Sequence, residues 1–219
     1  MFFNKKIKNH RINSLIQKKH QLKKYKIDFL IILKFNKLFS LISAEQFIKK
    51  IIYSKINAKY LFVSKNFKFG NKRKGNITKL KFHQSKYNFR TVLTKPVTKN
   101  KKVISSTIIR RLINQGKVNE TRKLLGRPWE IQGIVIKGNQ RGRKIGFPTC
   151  NINLKDYIVP RLGVYSVIAK SSSFRKKGIA NIGYRPTFNG QNLLLEVNIF
   201  GFNKNLYNKV IKVDFLKFI

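Results

Sequence analysis

From residue 138 to residue 151 the chain reads Gly-Asn-Gln-Arg-Gly-Arg-Lys-Ile-Gly-Phe-Pro-Thr-Cys-Asn. Glycines at 138, 142 and 146, interspersed with cations, make a loop whose backbone N–H groups can come close to phosphate oxygens. It is not a Walker loop, because no Gly-Lys-Ser/Thr follows in register. Taken alone, such a loop serves equally well as a plain hairpin connection. Thr149 and Asn151 sharpen the reading, being two neutral oxygen donors just past Pro148. Mg²⁺ takes hard oxygen ligands, keeps several waters and binds substrate phosphates. A hydroxyl, an amide and an ATP phosphate could complete that sphere. The plainer alternative is that both side chains cap a turn.

Phosphoryl transfer to an alcohol also wants a group that orients the hydroxyl and accepts its proton. The chain has seven carboxylate side chains, so there are few candidates. Glu196 stands out in Leu193-Leu194-Leu195-Glu196-Val197-Asn198-Ile199-Phe200. Strand alternation puts Leu195, Val197 and Ile199 on one face, and Glu196 with Asn198 on the other. If that second face lines a barrel mouth, Glu196 is a base in a partly apolar pocket. If it faces solvent, Glu196 is an ordinary surface residue. The pattern leaves both readings open.

The elements that must carry these residues change character along the chain. Beyond Arg127-Pro128, short strands alternate with Gly, Pro and Asn. Residues 131–137, 163–170, 177–183, 193–202 and 210–218 are the expected strands, and five strands in so short a stretch suggest a small antiparallel barrel. The first ~120 residues read instead as alternating helix and strand. Ile12, Leu15, Ile16 and Leu22 predict an amphipathic helix, and Phe29-Leu30-Ile31-Ile32-Leu33 a buried strand. Ser43 with Gln46 forms a capping box ahead of Phe47, Ile48, Ile51 and Ile52, which share one helical stripe. Tyr60 to Val63 is the next expected strand, so strand, helix and strand make a βαβ unit with parallel pairing. A helix from Ser105 stops at Gly116, and a shorter one from Asn119 stops at Gly126. The domain boundary is expected there.

Composition sets the outer limits. Forty-nine Lys and Arg against seven Asp and Glu give a formal charge of +42 over 219 residues. Such a field attracts polyanions. The lysines are scattered rather than gathered into a stripe with interleaved aromatics, which a dedicated nucleic-acid footprint would show. DNA binding is therefore expected to be weak, indifferent to sequence and steeply lost with salt. Binding isotherms at 50 and 200 mM salt would check this, and sequence-selective binding that survives physiological salt would contradict it. No apolar run approaches the ~20 residues of a membrane span. Cys150 is the sole cysteine, which leaves no internal disulfide and suggests a reducing, cytoplasmic setting.

Several stretches resemble a known family. Residues 142–151, Gly-Arg-Lys-Ile-Gly-Phe-Pro-Thr-Cys-Asn, resemble the glycine-rich loop and Pro-Thr-Ala-Asn motif of riboflavin kinases, with Cys150 where the family has alanine. Ile179-Ala180-Asn181-Ile182-Gly183-Tyr184-Arg185-Pro186-Thr187-Phe188 resembles the family's second signature. Leu195-Glu196-Val197-Asn198 resembles the third, which holds the catalytic glutamate, and Leu206-Tyr207-Asn208-Lys209 the short motif that follows. The resemblance implies that Thr149 and Asn151 bind Mg²⁺ and ATP, within an ATP-binding stretch of Gly138, Arg141, Gly142, Lys144, Gly146, Phe147, Pro148, Thr149 and Asn151. It implies that Glu196 activates the ribityl hydroxyl of riboflavin, giving FMN.

The first half resembles the adenylyltransferase domain of bacterial bifunctional riboflavin kinase/FAD synthetases, a Rossmann-like nucleotidyltransferase. Ser43-Ala44-Glu45-Gln46-Phe47, Phe67-Lys68-Phe69-Gly70 with Arg73 and Gly75, and Ser105-Ser106-Thr107-Ile108-Ile109-Arg110 carry the likeness. It implies that Arg73, Ser105, Ser106, Thr107 and Arg110 hold nucleotide phosphates, a role suited to a helix N-terminus. The family places a His-x-Gly-His motif near its start, and His10, His20 and His83 form none. The expected fold class is therefore α/β plus β. Residues 1–126 are read as a partial, Rossmann-like FMN adenylyltransferase domain with adenylylation impaired. Residues 127–219 are read as a riboflavin kinase β-barrel lacking its C-terminal helix. The alternatives are a basic nucleic-acid-binding protein and a remnant that keeps the fold without turnover.

Overall fold

The computed structural model describes residues 10–138, 146, 148–154, 157–187 and 190–219. Packing divides the chain into two compact units, one of Phe29–Val103 and one of Met1–Asp28 with Ile104–Ile219. The first helix, α1 (Leu15–Lys24), belongs to the second of these.

Unit Phe29–Val103 contains α2 (Lys37–Ser40), and α3 (Ala44–Phe47), which continues as a π-helix through Ile48–Ile56. There follow β1 (Tyr60–Ser64), α4 (Ile77–His83), β2 (Arg90–Thr94) and the two-residue strands β3 (Thr98–Lys99) and β4 (Lys102–Val103). The capping box at the head of α3 forms as the sequence predicts, with Ser43 Oγ accepting from Gln46 N at 3.1 Å and Gln46 Oε1 from Ser43 N at 3.2 Å. The helical stripe buries Ala44, Ile48 and Ile52 against Phe69, Leu80 and Phe89. β1 and β2 run parallel with α4 as the crossover, so a βαβ unit exists, one step further along the chain than expected. The expected strand at 29–33 is a correction. Phe29 is 87 % exposed and Ile31 57 %, and no described strand pairs with the segment. An apolar run becomes a buried strand only where neighbouring strands satisfy its backbone.

In the other unit, α5 (Ser106–Asn114) and α6 (Val118–Leu125) lead into six strands. These are β5 (Trp129–Ile136), β6 (Thr149–Asn153), β7 (Gly163–Lys170), β8 (Arg175–Thr187), β9 (Gly190–Ile199) and β10 (Val210–Phe218). They close into an antiparallel barrel in the order β10-β5-β6-β9-β8-β7. The fold class read from the sequence holds, with a sixth strand added. β6 escaped the reading because it is only five residues long and follows directly on the glycine- and proline-containing loop, although Cys150 and Ile152 alternate with polar neighbours, and it is the strand that carries Thr149 and Asn151. Period-2 alternation fills the barrel. Trp129, Ile131 and Val135 meet Tyr165, Val167, Ala180, Ile182, Leu195, Val197, Ile211, Val213 and Phe215 inside. Trp129 and Tyr165 flank Phe215 at ring-centroid distances of 4.8 and 5.1 Å.

The boundary expected at Gly126 falls inside this packed unit. Gly126 does end α6 in the left-handed conformation, at φ 69°, which favours glycine. Yet Ile109, Ile113 and Val118 from α5 and α6 belong to the barrel's own core. So does the chain ahead of α1, where Trp129 Nε1 donates to the Ile12 carbonyl at 2.9 Å. Helix α1 forms where predicted but turns another face inward. Ile16 is 66 % exposed while Gln17 is 4 % exposed.

Gln17 is buried because it enters a polar network on the barrel's outer wall. Its Nε2 donates to the Glu130 carbonyl at 2.9 Å and to Glu130 Oε1 at 3.1 Å, and its Oε1 accepts from the Tyr157 hydroxyl at 3.0 Å. Lys170 Nζ lies 2.9 Å from Glu130 Oε2 and 2.7 Å from Asp214 Oδ2, joining β5, β7 and β10. Two carboxylates thus share one ammonium. Burial pushes the Asp214 carboxyl above its ordinary range, against the pull of Lys170 and with the help of Glu130's charge. Burial also opposes ionisation of Glu130, but hydrogen bonds from Lys170 and Gln17 outweigh it and hold that carboxyl below its ordinary range. For Lys170, burial disfavours the charge, and the bonds to Asp214 and Glu130 overcome it and raise its pKa.

Candidate active site

β6 and β9 bring the predicted residues together. Residues directly opposite in an antiparallel pair share a face. The register sets Asn151 opposite Glu196 and Thr149 opposite Asn198, while β8 places Asn181 on Glu196's other side. Thr149, Asn151, Glu196, Asn198 and Asn181 therefore occupy one face of three adjacent strands. The opposite face carries Cys150, Ile152, Leu195 and Val197, which point to the core. Of the two readings left open for Glu196, neither extreme holds. Its side chain is 17 % exposed, and it forms an ion pair with Arg185 Nη2. Thr149 and Asn151 do not cap a turn, for both lie in β6.

A cavity of about 430 Å³ opens where β6 runs past the end of β5. Gly138, Pro148, Thr149, Cys150 and Asn151 line it together with residues 202–207, Val135 and Ile199. Asn198 Nδ2 holds the Pro148 carbonyl at 2.9 Å, which fixes the start of β6 against β9. Gly138 is needed for its lack of a side chain. A Cβ there would sit 2.3 Å from Asn151 Nδ2, so glycine is what lets the amide occupy its place.

Asn151 is 5 % exposed, and its Oδ1 is a buried acceptor without a hydrogen-bond partner. An orphaned buried carbonyl costs about 1–3 kcal/mol. A hard cation brought in by a ligand would satisfy it, and the neighbouring Thr149 hydroxyl is a second neutral oxygen of the right kind. The donor set thus fits a divalent cation that arrives with its phosphates. Among the described residues no three His, Cys, Asp or Glu side chains gather into a metal cluster. Cys150 lies between these two donors in sequence and on the pocket wall, and burial pushes its thiol up to about 11.

The remaining predicted residues separate. Gly146 and Pro148 are described, whereas Arg141, Gly142, Lys144 and Phe147 lie outside the described residues. Ser105 caps α5, its hydroxyl accepting from Ile108 N at 3.3 Å, and Ser106 and Thr107 follow in the first turn. Arg110 Nε donates to the His10 carbonyl at 2.9 Å. Arg73, with φ 59°, belongs to the other unit. Sequence reasoning gave no role to Arg185 and Asn181, nor to residues 202–207. Their positions follow from strand register and barrel closure, although Asn181, Arg185, Leu206 and Tyr207 all fall within the resembling stretches.

Comparison with known proteins finds two family matches along the chain. Residues 125–219 match the profile of the riboflavin kinase family, and residues 1–108 that of FAD synthetase. A bifunctional riboflavin kinase/FMN adenylyltransferase of Buchnera aphidicola subsp. Schizaphis graminum is 44 % identical over 221 residues, covering 99 % of this chain and 70 % of that protein. The protein of the same description from Bacillus subtilis (strain 168) is 37 % identical over 210 residues, covering 94 % and 66 %. A crystal structure described as a macrolide-efflux protein from Streptococcus pneumoniae superposes with a TM-score of 0.82 at 33 % identity, covering 95 % of this chain and 67 % of that one.

Proposed function

The chain belongs to the bifunctional riboflavin kinase/FMN adenylyltransferase family, and from that premise we propose that its barrel transfers the γ-phosphoryl group of ATP to riboflavin. The observation that carries this is the juxtaposition of Asn151, with its unpartnered buried oxygen, and Glu196 directly across the β6–β9 pair. The cavity beside β6 receives the nucleotide, with Gly138 and Pro148 on its wall. Arg141, Gly142, Lys144, Gly146 and Phe147 are assigned to the same nucleotide. Thr149 and Asn151 would hold Mg²⁺, which when bound neutralises charge on the phosphate oxygens. Glu196 accepts the proton of the ribityl 5′-hydroxyl as that oxygen bonds to the γ-phosphorus. The bond from that phosphorus to the bridging oxygen breaks, and ADP leaves with the electron pair. Asn151 and Asn181 stand directly across from the carboxylate on its two neighbouring strands.

Residues 1–126 are assigned to the adenylyltransferase lineage and 127–219 to the kinase, with Arg73, Ser105, Ser106, Thr107 and Arg110 as the nucleotide contacts of the former. The 219 residues contain no His-x-Gly-His, so FAD formation by them is expected to lag FMN formation. The direct test is to supply riboflavin, ATP and Mg²⁺ and to follow FMN, FAD and ADP separately. FMN and ADP should rise together in equal amounts. Absence of FMN with folded protein would overturn the proposal.

Cys150 offers an independent check on where the nucleotide sits. It is the sole cysteine and lines the cavity, so one alkylation event reports one site. With its thiol raised to about 11, modification at pH 7 should be slow, because the thiolate is the nucleophile. Adding Mg²⁺-ATP at about ten times its Kd should slow it a further ~10-fold, since only the vacant fraction reacts. Alkylation monitored by intact mass that ignores ATP would move the nucleotide elsewhere.

A further inference from the structure

Arg185 stands at the far end of the same strand face. Along β8 the positions sharing Glu196's face are 179, 181, 183 and 185, and the register sets Asn181 opposite Glu196 and Arg185 opposite Asn192. To reach Glu196, the Arg185 side chain must cross two same-face register positions. It does so and pairs with Glu196 Oε1 through Nη2. Position 183 is glycine, although the backbone does not require one there. Gly183 is not among the glycines of positive φ, and an added Cβ would meet nothing closer than Asn181 Nδ2 at 3.8 Å. No atom of Arg185 comes within 4 Å of that Cβ, so the ion pair does not depend on glycine at this position.

Glu196 needs such a tether. Its direct cross-strand neighbours, Asn151 and Asn181, are neutral amides, and a carboxylate between amides keeps several rotamers open. Arginine's planar fork fixes a carboxylate in direction as well as distance, which an ammonium on a flexible stem does less well. Arg185 is 34 % exposed and does not line the cavity, so it takes no part in holding the nucleotide where that cavity lies.

We propose that Arg185 is a positioning residue for the phosphoryl transfer, acting through Glu196 by fixing the direction of its carboxylate. This rests on the reading of Glu196 as the base. It also gives the resembling stretch 179–188 a mechanical link to the stretch 195–198.

The test is a double-mutant cycle read as kcat and KM. Arg185→Met should lower kcat about 10- to 100-fold, the scale of a misplaced reacting group, with the KM values for ATP and riboflavin nearly unchanged. Arg185→Lys should recover only part of that loss, because it restores the charge without the fork. In a Glu196→Gln background, Arg185→Met should cost less than about twofold more, since its effect passes through the missing carboxylate. Thermal melts of each variant separate misfolding from these effects. An undiminished Arg185→Met effect in the Glu196→Gln background would show that Arg185 acts on the phosphates directly, and would overturn the proposal. A raised KM with kcat intact would do the same. Full turnover by Glu196→Gln alone would instead bring down the base assignment itself, an outcome distinct from either.

Discussion

Replacing Glu196 by glutamine should leave a folded barrel that binds Mg²⁺-ATP and makes FMN ~10²–10⁴-fold more slowly. The substitution keeps the volume and the β9 geometry, and Leu195 and Val197 on the other face still fill the core. What it removes is the acceptor for the hydroxyl proton. Catalysis of phosphoryl transfer is mostly positioning and electrostatic stabilisation, so the nucleophile's orientation accounts for part of that loss as well. The loss should appear in kcat, with the Kd for nucleotide nearly unchanged, because Glu196 does not line the nucleotide cavity. Thr149→Val is the contrasting variant. It removes an assigned ligand of the metal-nucleotide complex, so its KM for Mg²⁺-ATP should rise before kcat falls. Comparing the two by steady-state kinetics, with equilibrium nucleotide titration alongside, separates base from ligand. Turnover by Glu196→Gln at the parent rate would make Glu196 a bystander on the barrel wall.

Lys170→Met should cost the protein about 3–5 kcal/mol at neutral pH, the range for stripping one partner from a buried charge pair. It leaves Glu130 and Asp214 facing each other across β5 and β10, with side chains 15 % and 9 % exposed. The pH dependence gives the test its direction. Glu130 has a depressed pKa in the fold, so its contribution is present above the ordinary carboxylate pKa and is lost as pH falls through its folded value. Lys170 has a raised pKa, so its contribution is present below the ordinary lysine range and is lost only as pH rises through its folded value. Asp214 runs the other way, for a raised carboxyl pKa stabilises the fold at low pH and loses that contribution as pH rises through its folded value. Without Lys170 the two carboxylates can relieve their repulsion only by taking up a proton. The gap between Lys170→Met and the parent should therefore be wide at pH 7 and narrow towards pH 4, measured as the difference in urea unfolding free energy. A gap independent of pH would mean that the loss is one of packing alone.

The parts of the fold that the sequence revealed are those where burial writes a period into the chain. β5, β7, β8, β9 and β10 alternate between a core face and an outer face, and the hydrophobic faces of α5 and of α3 with its π-helical continuation repeat every three or four residues. β6 alternates too, with Cys150 and Ile152 inward and Thr149 and Asn151 on the other face, but over five residues that pattern does not stand out from the loop before it. Its strand character comes from the β9 ladder, which is a partner contribution that single-strand pattern cannot show. The run at 29–33 failed for the complementary reason, having the composition of a strand without described neighbours to pair with. In α1 the apolar stripe was real but was not the buried side, since Gln17 is drawn in by Glu130 and Tyr157, more than a hundred positions away. Glu196 was legible as a candidate through its scarcity among so many cations. Its tie to Arg185 was not, because only register converts a separation of 11 residues across two strands into a contact.

The docking of α1 also bears on how the molecule is made. Gln17 and Tyr157 are 140 residues apart, and Trp129 and Ile12 are 117. A ribosome adding about 5–20 residues per second leaves the helix waiting roughly 7–28 s before Tyr157 is synthesised. During that interval the whole of Phe29–Val103 emerges, and it has its own small core to assemble. The barrel unit is thus interrupted in time as well as in sequence. The segment carrying α1 must stay uncommitted while another unit forms, and docking joins it to residues made more than a hundred positions later.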